Sequence, residues 1–181
     1  MAPRIALRLA LIAAPLLLAA CETLRSIDFS PEPVIPPPCP RAVVGEGAGH
    51  LTRFDGTGKD ATDVVFDAEI FDLAGSCVYD DEEIEVDMQV QIVAGRGPAA
   101  TDDYARFDYF VAVTSADGTI LAREAFDAAI ELSGNQTRNE IIDEIEQTIP
   151  IPEGGSGGGL VIIVGFEMTP EELEFNRQQG R

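Results

Sequence analysis

Ile84, Val86, Met88, Val90 and Ile92 alternate with Glu83, Glu85, Asp87, Gln89 and Gln91. A period of two places the apolar set on one face and the polar set on the other, which predicts a strand with one dry and one wet side. Phe66, Ala68 and Ile70 alternate in the same way with Asp67 and Glu69. Phe107, Tyr109, Val111 and Val113 make a third set, and Phe126, Ala128, Ile130 and Leu132 a fourth. Arg41–Val44, His50–Phe54 and residues 160–166 are shorter strand candidates. Turn signals lie between them at Ala74-Gly75-Ser76, Gly95-Arg96-Gly97-Pro98 and Ala116-Asp117-Gly118. The Asp117-Gly118 step, between Val113 and Ile120, is the strongest hairpin signal in the chain. About seven or eight strands with such punctuation predict an all-β fold, a two-sheet antiparallel β-sandwich of immunoglobulin-like architecture. The Cys and Trp markers of antibody domains are missing, so the likeness is one of architecture alone.

Residues 139–149 fit two periods. Ile141, Ile142, Ile145 and Ile149 match a helical stripe, while 141, 145 and 149 also share a strand face. Clustered isoleucine followed by Pro150 favours a strand. At the end of the chain Thr169-Pro170-Glu171-Glu172 is a capping box with proline at the first helical position. It predicts a short helix over 170–178, with Leu173 packed on the sandwich.

The chain has 181 residues, 12 Lys+Arg against 32 Asp+Glu, and a formal charge of −20. Phosphate contact needs clustered cations, so a nucleic-acid binder of the ordinary basic kind is excluded. A hydrophobic content of 45% gives enough apolar surface for a core despite that charge. The beginning has the opposite character: Arg4 and Arg8 precede an apolar run over 9–20 broken only by Pro15. As a helix that run spans roughly 18 Å, short of a hydrocarbon core of about 30 Å, which favours an export signal over a membrane span.

The run closes on Leu18-Ala19-Ala20-Cys21, which resembles a bacterial lipobox. That resemblance implies a signal peptide over 1–20, cleavage before Cys21, thioether lipidation of Cys21 and acylation of the new amino terminus. Several acyl chains give stable attachment where one is marginal. The next residue is Glu22, not the aspartate that retains such proteins at the inner membrane of enteric bacteria, so the resemblance points to the outer membrane, facing the periplasm.

Residues 22–38 read as a tether that completes the segment 21–38, with Pro31, Pro33, Pro36, Pro37 and Pro38 inside it. Polyproline geometry at about 3.1 Å per residue lets it reach roughly 50 Å, and its one P-x-x-P match, Pro33-Val34-Ile35-Pro36, is ordinary in such a spacer. The folded domain then covers 39–181. Cys39 and Cys77 are the two cysteines left after the anchor, and an oxidising compartment favours their pairing. The loop so closed is long enough for the chain-entropy relation to give roughly 4 kcal/mol. A Cys-His metal pair is the rival, limited by a sole histidine, His50.

The chain carries only fragments of catalytic motifs. Gly45, Gly47 and Gly49 begin a dinucleotide loop, but His50 stands where the last glycine belongs. Residues 153–159 are glycine-rich without the Gly-Lys-Ser/Thr of a phosphate cradle and read as a flexible loop. No serine lies in a G-x-S-x-G elbow to pair with His50. Asp80, Asp81, Glu82, Glu83, Glu85 and Asp87 form an acidic run, and Asp55, Asp60 and Asp63 surround a glycine-rich turn that also holds Lys59; neither matches a calcium loop. No cofactor, metal or catalytic residue is assigned. Glu83, Glu85 and Asp87 share a strand face and form a candidate patch for a basic partner.

Pro37-Pro38-Cys39-Pro40-Arg41, Leu51-Thr52-Arg53-Phe54, Asp63-Val64-Val65-Phe66, Gly75-Ser76-Cys77, Arg96-Gly97-Pro98-Ala99-Ala100, Tyr109-Phe110-Val111-Ala112-Val113 and Val164-Gly165-Phe166 are similar, in that order, to a family of small, functionally uncharacterised lipoproteins of Gram-negative, chiefly alphaproteobacterial, genomes. The resemblance implies an exported, lipid-anchored domain that keeps both cysteines, and it carries no activity with it. The function expected is that of a non-catalytic envelope lipoprotein, bound to the membrane by its lipid and to a protein partner of the envelope by its domain. The alternative is a small carboxylate-dependent hydrolase or a calcium- or carbohydrate-binding protein.

Overall fold

The alternating segments become strands β1 (Arg41–Val44), β2 (His50–Phe54), β3 (Val64–Tyr79), β4 (Glu83–Arg96), β5 (Tyr104–Thr114), β6 (Ile120–Glu131), β7 (Arg138–Pro150) and β8 (Val161–Phe166), followed by helix α1 (Pro170–Gln179). The structure is a computed structural model that describes residues 35–181, of which Pro37–Arg181 form one compact unit. Its strands make two four-stranded sheets in the orders β1-β8-β5-β6 and β2-β3-β4-β7. The fold is the predicted β-sandwich, with the ambiguous 139–149 segment lying within strand β7.

The apolar halves of the period-two patterns meet between the sheets. Ile84, Val90 and Ile92 of one sheet and Tyr109, Ile130 and Val164 of the other are fully buried there. Phe66 faces Phe107 across the gap with ring centroids 6.4 Å apart, and Phe107 meets Phe166 edge-on at 5.2 Å. At the Asp117-Gly118 hairpin Gly118 takes a φ of +84°, and the Ser115 hydroxyl and Thr119 N–H both donate to the Asp117 carboxylate. The Ser115 bond, followed by the Thr119 bond, holds that carboxyl below the usual range.

Three expectations about connections and turns change. The Ala74-Gly75-Ser76 signal is not a turn: β3 runs through it, with Ala74, Gly75 and Ser76 opposite Gln89, Met88 and Asp87 of β4. A Cβ on Gly75 would lie 2.8 Å from the Asp87 carbonyl oxygen, so this glycine marks a close approach of two strands. The register also slips between Ile70 and Asp72, leaving Phe71 as a bulge, so the inward set passes from Phe66, Ala68 and Ile70 to Leu73, Cys77 and Tyr79. At the other end of the hairpin β4 continues through Gly95 and Arg96, which confines the second predicted turn to the residues from Gly97 onward. Finally, β1 pairs with β8 in parallel, Arg41 opposite Val161, while every other pairing is antiparallel.

Helix α1 begins as predicted, with Thr169 and Glu172 exchanging cap bonds, and runs one residue past the expected end. Leu173 is half-buried near the 45–49 loop, but the residue that docks the helix is Asn176, which is 1% exposed. Its amide donates to the carbonyls of Gly47 at 2.9 Å and His50 at 2.6 Å. Phe175 adds an edge contact with Phe54 at 5.1 Å, and Arg53 pairs with Glu172 at 2.8 Å.

Candidate functional site

Residues 38–40 are fixed to the sandwich by a built clasp. Cys39 and Cys77 form a disulfide, with Cα atoms 5.8 Å apart and a sequence separation of 38. Close by, the Tyr79 hydroxyl donates to the Pro38 carbonyl at 2.6 Å and accepts from the Gly157 N–H at 2.7 Å. Gly157 is buried in a single turn of 3-10 helix, Gly157–Gly159, where a Cβ would strike Pro40, Ile84 and Tyr79. The glycine-rich stretch read as a flexible loop is thus a seat for the prolines. This also explains the parallel pair, since Pro40 and Leu160 lead β1 and β8 away from the same end of the sandwich.

Glu83, Glu85 and Asp87 sit together on the outer face of β4, as their alternation implies. β7 enlarges the group: Asp87 stands opposite Glu146, Gln89 opposite Glu144 and Val93 opposite Glu140. Gln89 and Gln91 donate amide bonds to Glu144 and Glu140, whereas Asp87 faces Glu146 with like charge, an unfavourable cross-strand pair. On the β3 side the row ends in Ala74 and Ser76, whose small side chains leave a shallow depression of about 300 Å³ bounded by Asp87, Gln89, Glu144 and Glu146.

Asp80, Asp81, Glu82, Glu83 and Glu153 gather at the β3–β4 turn, next to Tyr79 and so at the same end of the domain as Pro38. Among the described residues no group of three or more His, Cys, Asp or Glu side chains is arranged to hold a metal ion. Asp55, Asp60 and Asp63 likewise form a local turn, in which Asp63 caps the Asp60 N–H. Melting in excess calcium should therefore match melting in chelator to within a degree or two. A site filled at one hundred times its Kd would add about 2.7 kcal/mol, and an upward shift specific to calcium over magnesium would restore the metal reading.

His50 lies on β2 with Nε2 3.9 Å from Glu69, on the outer face, and Cys39 is bonded elsewhere, so the Cys-His pair is not formed. Cys21 and the segments read from the sequence as a signal peptide, 1–20, and as a tether, up to residue 34, lie outside the described residues. Among the described residues no helix is long and apolar enough to cross a membrane.

One polar pair had no signal in the sequence. Asp143 projects from the core side of β7 and accepts a 2.6 Å bond from the hydroxyl of Tyr109, a fully buried residue of the opposite sheet. Burial, then the bond to Asp143, then the carboxylate's charge push the Tyr109 hydroxyl well above its ordinary pKa. Tyr109 also stacks on Phe126 at 5.3 Å, so the pair ties the sheets together between β6 and β7. No family model, no curated protein and no solved structure matches this chain.

Proposed function

We propose that the protein is a non-catalytic envelope lipoprotein: a β-sandwich held by a proline tether to lipidated Cys21 at the outer membrane, facing the periplasm and binding another envelope protein. The observation that carries this reading is the clasp at Pro38, Cys39, Cys77, Tyr79 and Gly157. A chain whose entry point is bonded covalently and by a shared hydroxyl transmits force from a tether into the sandwich without peeling β1 from β8. Pairing of Cys39 with Cys77 also suits an oxidising compartment. The disposition of the acids supports binding over chemistry. Glu83, Glu85 and Asp87 spread along a sheet face, where carboxylates repel in a line; glycoside cleavage needs two that converge on one bond.

Changing Cys21 to Ser in the producing cell should leave the protein unacylated and release it into the soluble fraction. Fractionation and mass spectrometry of the amino-terminal peptide check both halves. A variant that stays with membranes through a high-salt wash overturns the lipid anchor.

A further inference from the structure

On one side the sheets end in short strands β1 and β2, with α1 docked on the 45–50 segment through Asn176, and β2 pairs with β3 only as far as Glu69. On the other side β6 and β7 are the sheet ends, and β7 runs from Arg138 to Pro150 with β4 as its only strand partner among the described residues. In an antiparallel strand every second residue turns both its N–H and its C=O to the unpaired edge, so β7 offers a ready ladder for one more strand.

Charge selects what that strand can be. Over 68–79, 83–93 and 140–150 none of the three long strands of this sheet carries Lys or Arg. A second copy laid β7 to β7 would add three more carboxylates and, over 140–150, no cation to this edge, which opposes self-pairing. The row Ser76, Asp87, Glu146 already contains two unneutralised carboxylates on neighbouring strands, and its next position lies on the added strand. A cation there would meet Glu146 directly, at the β7 rim of the depression. Ile142, 57% exposed on the same face, gives an adjacent apolar contact.

We infer that the free edge of β7 receives an extended, basic segment of a partner protein, whose backbone pairs with β7 and whose Lys or Arg side chains lie against Glu140, Glu144 and Glu146. This rests on the binding role proposed above but not on the lipid anchor, so a membrane-released Cys21→Ser protein would leave it standing.

The probe is a capped eight-residue peptide of alternating Lys and Val, titrated into the purified full chain while amide hydrogen exchange is read residue by residue. A peptide of equal charge with Pro in place of Val cannot form the ladder and serves as the comparison. The Lys-Val peptide should slow exchange within 140–148 while leaving β6 unchanged, and the Pro peptide should not. Combined Glu140→Gln, Glu144→Gln and Glu146→Gln changes relieve repulsion in the free domain and should weaken binding about tenfold, as expected for three exposed opposite-charge cross-strand pairs. Absence of binding, equal binding of the Pro peptide, or protection spread over other strands would overturn the inference. Such outcomes would leave these acids a role in solubility alone.

Discussion

Replacing Cys39 and Cys77 together by serine should lower the melting temperature by roughly 10–15 °C, the equivalent of about 4 kcal/mol for a domain of this size. The magnitude follows from the 38-residue separation, because the cross-link removes the loop-closure freedom that the unfolded chain would otherwise have. Against a total of about 5–15 kcal/mol for an ordinary domain, that is a large share. The origin in the unfolded state has its own signature. The denaturant m-value should rise as the freed chain exposes more surface on unfolding, while the folded spectrum stays the same. Tyr79 and Gly157 should still hold Pro38 in the folded variant, so β1 stays paired with β8. A shift under 3 °C with an unchanged m-value would mean that hydrogen bonds and proline packing, not the cross-link, secure residues 38–40 to the sandwich.

How much of this architecture was legible depends on whether the deciding contact was local. β4, β5 and the capping box of α1 could be read because each is settled within a few residues: alternation decides which side is dry, and Thr169 and Glu172 satisfy each other's backbone. β3 was readable only up to Ile70. Past the bulge at Phe71 its inward phase reverses, and Gly75 has the same identity in a strand approached by Asp87 as it would have in a turn. β7 was ambiguous because Asp143 and Gln147 occupy positions of its core-facing phase and break the apolar alternation; the reason for Asp143 is a tyrosine on another sheet. Glu83, Glu85 and Asp87 were found by their spacing, whereas Glu140, Glu144 and Glu146 join them only through the β4–β7 register. Asn176 carried no signal at all, since a buried asparagine announces itself only by the Gly47 and His50 carbonyls it satisfies.

Tyr109→Phe should reveal what the bond between the sheets contributes. The substitution keeps the ring and its stacking on Phe126 but deletes the donor to Asp143, leaving a partly buried carboxylate without that bond. At neutral pH the expected loss is about 1.5–3 kcal/mol, the range for a hydrogen bond to a charged group. The pH dependence separates this from a simple packing defect. An unfolded tyrosine ionises near pH 10, while burial, first of all, and then Asp143 keep folded Tyr109 protonated far above that. Below about pH 10 both states hold the proton and the stabilisation is complete. Above it the unfolded chain gives the proton up and the folded one does not, so the wild-type domain loses about 1.4 kcal/mol per pH unit through this residue. Tyr109→Phe lacks that loss, and the two proteins should converge in urea unfolding between about pH 11 and 12. Asp143→Asn sharpens the comparison: burial is the leading cause of the shift, so this variant should keep most of the alkaline slope while being destabilised at pH 7. Parallel stability curves for wild type and Tyr109→Phe across pH 7–11.5 would show that the hydroxyl is not held protonated in the folded state, and the proposed tie between the sheets would reduce to ring packing.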